Sequence, residues 1–145
     1  MSPSLIPVFA LLGAALAALL GWIGNHHIQN HVYGFHLRKD ALRNSLYEFL
    51  DLTSGYWNSN GTDARTRKSM EARIVVAQSV ISAEYGLLAK RYKTIKRSYD
   101  STKALRIVLW DAATGGRFQQ EDWEPDPERS RAVSNAVIGI VNSLG

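Results

Sequence analysis

Residues 5–23 read LIPVFALLGAALAALLGWI, nineteen positions without a charge or a strongly polar side chain. At about 1.5 Å per residue this run makes close to 30 Å of helix, the thickness of the hydrocarbon core of a bilayer. Pro3 and Pro7 fall at its start, where a missing backbone N–H costs least, and Trp22 stands at its end, where an indole suits the headgroup region. A cleaved secretory signal would carry basic residues ahead of the apolar run, and here none precede it. A core helix of a water-soluble protein would show a polar face over this length. The run is therefore expected to be one N-terminal transmembrane helix, an anchor occupying residues 1–25.

The flanks of the run set the expected orientation. The first ionised side chains are Arg38 and Lys39, followed by Asp40 and Arg43, all on the C-terminal side. Positive charge is retained on the cytoplasmic side, so the expected topology is single-pass, N-terminus outside and C-terminal domain cytoplasmic, in a bacterial inner membrane. Within the anchor Gly13, Ala17 and Gly21 recur every four residues, and Ala10, Ala14 and Ala18 form a second ridge. Small side chains at this spacing let helix backbones approach closely, which marks the face as a candidate for self-association.

All four histidines, His26, His27, His31 and His36, fall in a juxtamembrane segment at 26–36. His27 and His31 share a helical face at the i, i+4 spacing of a half metal site. The first carboxylate is Asp40, however, and the stretch, with Tyr33 and Phe35, reads more simply as an interfacial one. No metal and no cofactor is expected.

The remaining residues, 37–145, are expected to form a three- or four-helix bundle, making the chain all-α. Leu42, Leu46, Phe49, Thr53 and Trp57 step by four, three, four and four along one face. Asn58, Asn60 and Gly61 end that helix, and Thr62 or Asp63 caps the next. The second stripe is Met70, Ile74, Ala77, Ile81 and Leu88, widened by Val76 and Val80. Helical spacing resumes through Tyr92, Ile95, Tyr99, Thr102, Leu105, Leu109 and Ala112, and Gly86 is the expected break between two helices. Gly115 and Gly116 stop the run. A loop at 117–125 is expected to pack through Phe118 and Trp123. The last helix has Asp126 as cap, Pro127 in its first position and a stripe of Val133, Val137, Ile140 and Leu144.

The net charge of +4 is unevenly spread. Residues 1–89 carry +1, residues 90–106 carry +6, and residues 107–145 carry −3. The basic surface comprises Lys90, Arg91, Lys93, Lys96, Arg97, Lys103 and Arg106, interleaved with Tyr92 and Tyr99. Such a stretch is most simply a solvated face, partly neutralised by the acidic residues 121–128. Anionic lipid headgroups are the next candidate, then an acidic protein, and nucleic acid the least favoured.

Chemistry is scarce. The absence of cysteine excludes disulfides, thiolate metal sites and a thiol nucleophile, and fits a reducing compartment. No phosphate-binding glycine loop, no H-E-x-x-H pair and no acidic calcium loop is present. Asp111, Glu121, Asp122, Glu124 and Asp126 are the only clustered acids, and read as a solvated loop. The expectation is a non-enzymatic, membrane-anchored interaction or scaffold module, whose partners are membrane lipid and either further copies of itself or a membrane-complex protein. The alternative is an oligomeric membrane effector or toxin, for example in phage defence, that perturbs the bilayer when triggered.

Overall fold

The computed structural model describes the backbone of residues 6–145 and the side chains of residues 16–145 other than His27 and Asn30. Among the described residues the chain is all-helical, with α1 at Ile6–Asn58, α2 at Ala64–Arg91, α3 at Lys93–Ser101, α4 at Lys103–Thr114 and α5 at Pro127–Ser143. It divides into two compact units, Met1–Arg38 and Lys39–Gly145.

In the first unit the backbone is helical through residues 26–36 as well as through the apolar run from Ile6 onward. Leu16, Leu19, Leu20, Trp22 and Ile23 are all exposed among the described residues. Trp22 stacks on His26 one turn later, with ring centroids 5.5 Å apart and planes 7° from parallel. Ala17, Ala18 and Gly21 are exposed. The side chains of Ala10, Gly13 and Ala14, and those of the run before residue 16, lie outside the described residues.

The second unit is built around the last turns of α1. Leu42, Leu46, Phe49, Thr53 and Trp57 are fully buried, as their spacing requires. Thr53 keeps its hydroxyl satisfied by donating to the Phe49 carbonyl at 2.8 Å, which lets a polar residue sit in the core stripe. Phe49 meets Trp110 of α4 edge-on at 5.5 Å. The Trp57 indole N–H donates to the Ala113 carbonyl at 3.2 Å, and the Trp57 carbonyl accepts from the Asp126 N–H at 2.8 Å. One residue thus fixes the end of α4 and the start of α5. Along α5, Val133, Val137, Ile140 and Leu144 are buried, and α4 packs along this helix.

Helix boundaries follow local chemistry. Asp63 takes a hydrogen bond from the Thr66 hydroxyl at 2.6 Å, which with the backbone bonds holds its carboxyl below the usual range, and it caps α2 by accepting from the N–H groups of Arg65 and Thr66 at 2.9 and 3.0 Å. Asp126 caps α5 by accepting from the N–H groups of Glu128 and Arg129 at 3.1 and 3.2 Å, with Pro127 following. At the end of α4 the Arg129 guanidinium reaches back to donate to the Asp111 carbonyl at 2.7 Å. It occupies the space beside the two glycines. A Cβ on Gly116 would stand 2.5 Å from the guanidinium, and Gly116 has φ +62° besides. Glycine is required there on both counts.

The expected break at Gly86 is not found. Helix α2 runs through it, and the chain turns at Tyr92 (φ −124°, ψ 121°) and again at Thr102. Gly86 has nothing within 4 Å of a Cβ position, and one helical glycine costs only about 1 kcal/mol, too little to break a helix held by packing. The turn at Tyr92 folds α3 back on α2 and brings Tyr92, Ile95 and Ser98 into the core. Buried hydroxyls hold this corner: Tyr85 Oη lies 2.6 Å from Ser98 Oγ, which lies 2.6 Å from Ser143 Oγ of α5. A second difference concerns Val76 and Val80, expected to widen the buried stripe of α2 and in fact exposed.

Two glycine substitutions separate these roles. Gly86→Ala is expected to raise stability by roughly 0.5–1 kcal/mol, whereas Gly116→Ala lowers it by about 1–3 kcal/mol. Denaturant midpoints of the two variants at matched slope check both signs.

Candidate functional surface

The basic stretch predicted from sequence is cut into three pieces by the turns at Tyr92 and Thr102. Lys90 and Arg91 close α2, Lys93, Lys96 and Arg97 lie on α3, and Lys103 and Arg106 open α4. Six of the seven are exposed. Arg106 is the exception. Its guanidinium lies over the Tyr99 ring at 3.5 Å and over Tyr85 at 5.5 Å, and donates to the Tyr99 carbonyl. It braces α4 against the preceding turn, so its charge serves packing.

The acidic residues do not answer this surface by contact. Arg117 pairs with Glu124 at 2.9 Å and with Asp122 at 3.7 Å, Arg129 with Asp126 at 3.5 Å, and Arg131 with Glu128 at 2.9 Å. Four of the six acids of the 107–145 region are thus matched to its own three arginines. Among the described residues no member of the basic stretch has an ion pair within 4.0 Å. Any neutralisation by residues 121–128 therefore does not run through close ion pairs among the described residues.

Helix α2 carries the feature that sequence reading missed. Its buried residues are Glu71, Ile74, Ile81, Tyr85, Leu88 and Ala89. On another side Val76, Val80 and Leu87 are 62%, 54% and 65% exposed. With Ala83 they step by four, three and four, an apolar seam turned away from the core. Two apolar faces make α2 long and apolar enough to cross a membrane by length and composition. Beside the seam a groove of about 490 Å³ runs between α1 and α2, with Phe49, Leu52, Ala77 and Ile81 in its walls and Glu48 and Arg73 among its polar lining residues.

A buried polar cluster ties α2 to the loop after α4. The Tyr56 hydroxyl donates to the Glu71 carboxyl at 2.8 Å, and Glu71 is only 6% exposed. Arg67 stands 3.9 Å from the same carboxyl oxygen and lies over the Trp123 ring at 5.2 Å. Tyr56 also receives a backbone hydrogen bond from Gln119, whose φ of +62° marks the turn needed to point its N–H inward. Phe118 and Trp123 pack against the Tyr56 ring at 5.3 and 5.4 Å. Burial first, and then the hydrogen bond to Glu71, holds the Tyr56 phenol well above its ordinary value of 10.0. The Tyr56 hydroxyl and the Glu71 carboxyl are partnered inside the fold, which makes the cluster a clasp for the loop, although the Trp123 indole N–H is buried without a partner. A spacing of fifteen residues between Tyr56 and Glu71 carries no local signal, so sequence alone could not pair them.

His26, His31 and His36 are exposed, and His27 lies outside the described residues. Among the described residues no three His, Asp or Glu side chains gather closely enough to hold a metal ion. No protein-family model, curated protein or solved structure matches the chain.

The clasp has a consequence at alkaline pH. A proton held more tightly in the folded state contributes stability that is complete below pH 10 and is lost as pH rises further and the unfolded chain ionises. Absorbance titration of the six tyrosines should show one phenol ionising only with unfolding, and Tyr56→Phe should remove that late component. The same variant leaves Glu71 without its donor and should cost about 1–3 kcal/mol near neutral pH.

Proposed function

We propose that this chain is a non-enzymatic membrane-anchored interaction module, working as a homo-oligomer or as a subunit of a membrane complex. One observation carries the reading: the uncharged run at 5–23 lies almost wholly within helix α1, and its described large side chains from Leu16 to Ile23 are all exposed. Five large apolar side chains left uncovered on consecutive turns are unfavourable in water and suited to lipid. The span is accordingly N-terminal, followed by a helical bundle at residues 37–145. By the charge rule the N-terminus is outside and the bundle cytoplasmic, at a bacterial inner membrane.

Helix α2 is the rival span by length and composition, and packing argues against it. Its inner face carries Glu71 bonded to Tyr56 and Tyr85 bonded to Ser98, inside the Lys39–Gly145 unit. Crossing a bilayer would strip those contacts and leave a carboxyl in hydrocarbon. Association is assigned to the ridges Gly13, Ala17, Gly21 and Ala10, Ala14, Ala18, because small residues let lipid-embedded helices pack closely.

Membrane extraction and mass in detergent test the reading. The full chain should stay with membranes after alkaline carbonate washing, Leu12→Arg with Leu16→Arg should release it, and Val76→Asp with Val80→Asp should not. Release by the α2 pair alone would overturn the assignment of the span. Light scattering of the detergent-solubilised full chain should give a multiple of 16.1 kDa, reduced by Gly13→Leu with Gly21→Leu. A strictly monomeric chain that copurifies with no membrane protein would refute the module.

A further inference from the structure

The outer seam of α2 has a charge pattern that its packing does not explain. Arg65, Lys68 and Arg73 stand toward its N-terminal end and Lys90 and Arg91 at its C-terminal end, all exposed. Among the described residues none of these five has an ion pair within 4.0 Å. At 100° per residue, Val76, Val80, Ala83 and Leu87 fall within about one sixth of the helix circumference, with Arg73 and Arg91 just beyond one edge of that sector and Lys90 just beyond the other. Two acids stand beside it, Glu84, half-buried on α2, and Glu48 of α1, which lines the same groove as Val76 and Val80. The face is therefore apolar in the middle and cationic at both ends.

That pattern selects its occupant. A second copy docked antiparallel would set Arg65 and Lys68 against Lys90 and Arg91, and one docked parallel would set each cation against itself. Either arrangement gathers ten positive charges around an apolar strip. An anionic bilayer surface answers both features at once, since headgroups take the cations while the upper acyl chains take the valines and leucine. We propose that α2 lies in the plane of an anionic membrane surface through Val76, Val80 and Leu87, held at its ends by Arg65, Lys68, Lys90 and Arg91. The buried face, with Glu71 and Tyr85, stays on the protein, so the contact is interfacial rather than spanning. The exposed Lys93, Lys96 and Arg97 of α3 add charge of the same sign directly after the turn at Tyr92. This contact differs from the proposed anchor and stands on separate residues.

The chain has no cysteine, so one introduced thiol reports one place. Full-length Val80→Cys and Ser82→Cys, each carrying an environment-sensitive fluorophore, are incorporated into phosphatidylcholine vesicles with or without phosphatidylglycerol. Ser82 is exposed but roughly 140° from the seam centre, which makes it the control. In the anionic vesicles the label at position 80 should shift to the blue and be quenched several-fold more by spin-labelled lipid than the label at 82. The difference should shrink in vesicles of phosphatidylcholine alone and in high salt. A label at 80 that stays water-like in anionic vesicles overturns the proposal. So does one that is shielded equally in both vesicles, insensitive to lipid-borne quencher and linked to its twin on oxidation, which would mark a second copy on the seam. Flotation with neutral vesicles in high salt reports the anchor separately: without an anchor the protein sediments there, while the label at 80 still responds to anionic vesicles in low salt.

Discussion

Within the Lys39–Gly145 unit, the arrangement depends on two adjacent aromatic residues at the end of α1. Tyr56 and Trp57 are both fully buried, their rings edge-on at 4.9 Å. Trp57 holds the end of α4 through the Ala113 carbonyl and the start of α5 through the Asp126 N–H. Tyr56 holds α2 through Glu71 and the 117–125 loop through Phe118, Trp123 and the Gln119 backbone. Neighbouring residues on a helix point about 100° apart, so together they reach two sides of the unit. Large aromatic rings with polar handles suit this position, because each buries apolar area and aims one directional bond.

That anchorage leaves the remaining elements short of freedom. Helix α3 must turn back at Tyr92 to cover α2, and α4 must end where Arg129 can reach the Asp111 carbonyl. The two glycines at 115–116 accommodate the guanidinium, whose stacking over Trp57 at 5.4 Å returns the contact to the same aromatic pair. The polar groups drawn inward by this packing are matched locally: Thr53 to Phe49, Tyr85 to Ser98 and Tyr56 to Glu71. Burial without such partners would cost more than the packing contributes.

Helix α2 shows how one element can carry two apolar faces for different reasons. Ile74, Ile81, Tyr85 and Leu88 are consumed by the core, while Val76, Val80 and Leu87 remain in the open. Nothing in composition separates the two sets, and together they give α2 the character of a membrane span. The inner face is tied down by directional bonds to Tyr56 and Ser98, and the outer one has no such partner within the unit. Membrane contact proposed for that outer face and for residues 5–23 would serve one purpose, fixing a small basic domain at a bilayer.

Sequence by itself determined whatever depends on neighbours within a few residues. The core stripes of α1 and α5, the caps Asp63 and Asp126, Pro127 in the first helical position and the stop at Gly115–Gly116 all rest on periodicity or on bonds spanning two or three positions. Tertiary structure decided the rest. It carried α2 through Gly86 and bent the chain at Tyr92, because covering Ile81 and Tyr85 is worth more than one glycine costs. It spent Arg106 on the rings of Tyr99 and Tyr85, and gave Asp122, Glu124, Asp126 and Glu128 to Arg117, Arg129 and Arg131. It also decided which apolar residues of α2 are core and which are surface, Ile74 and Ile81 being buried and Val76 and Val80 exposed, since that depends on where α1 and α3 lie, and no spacing along α2 alone records it.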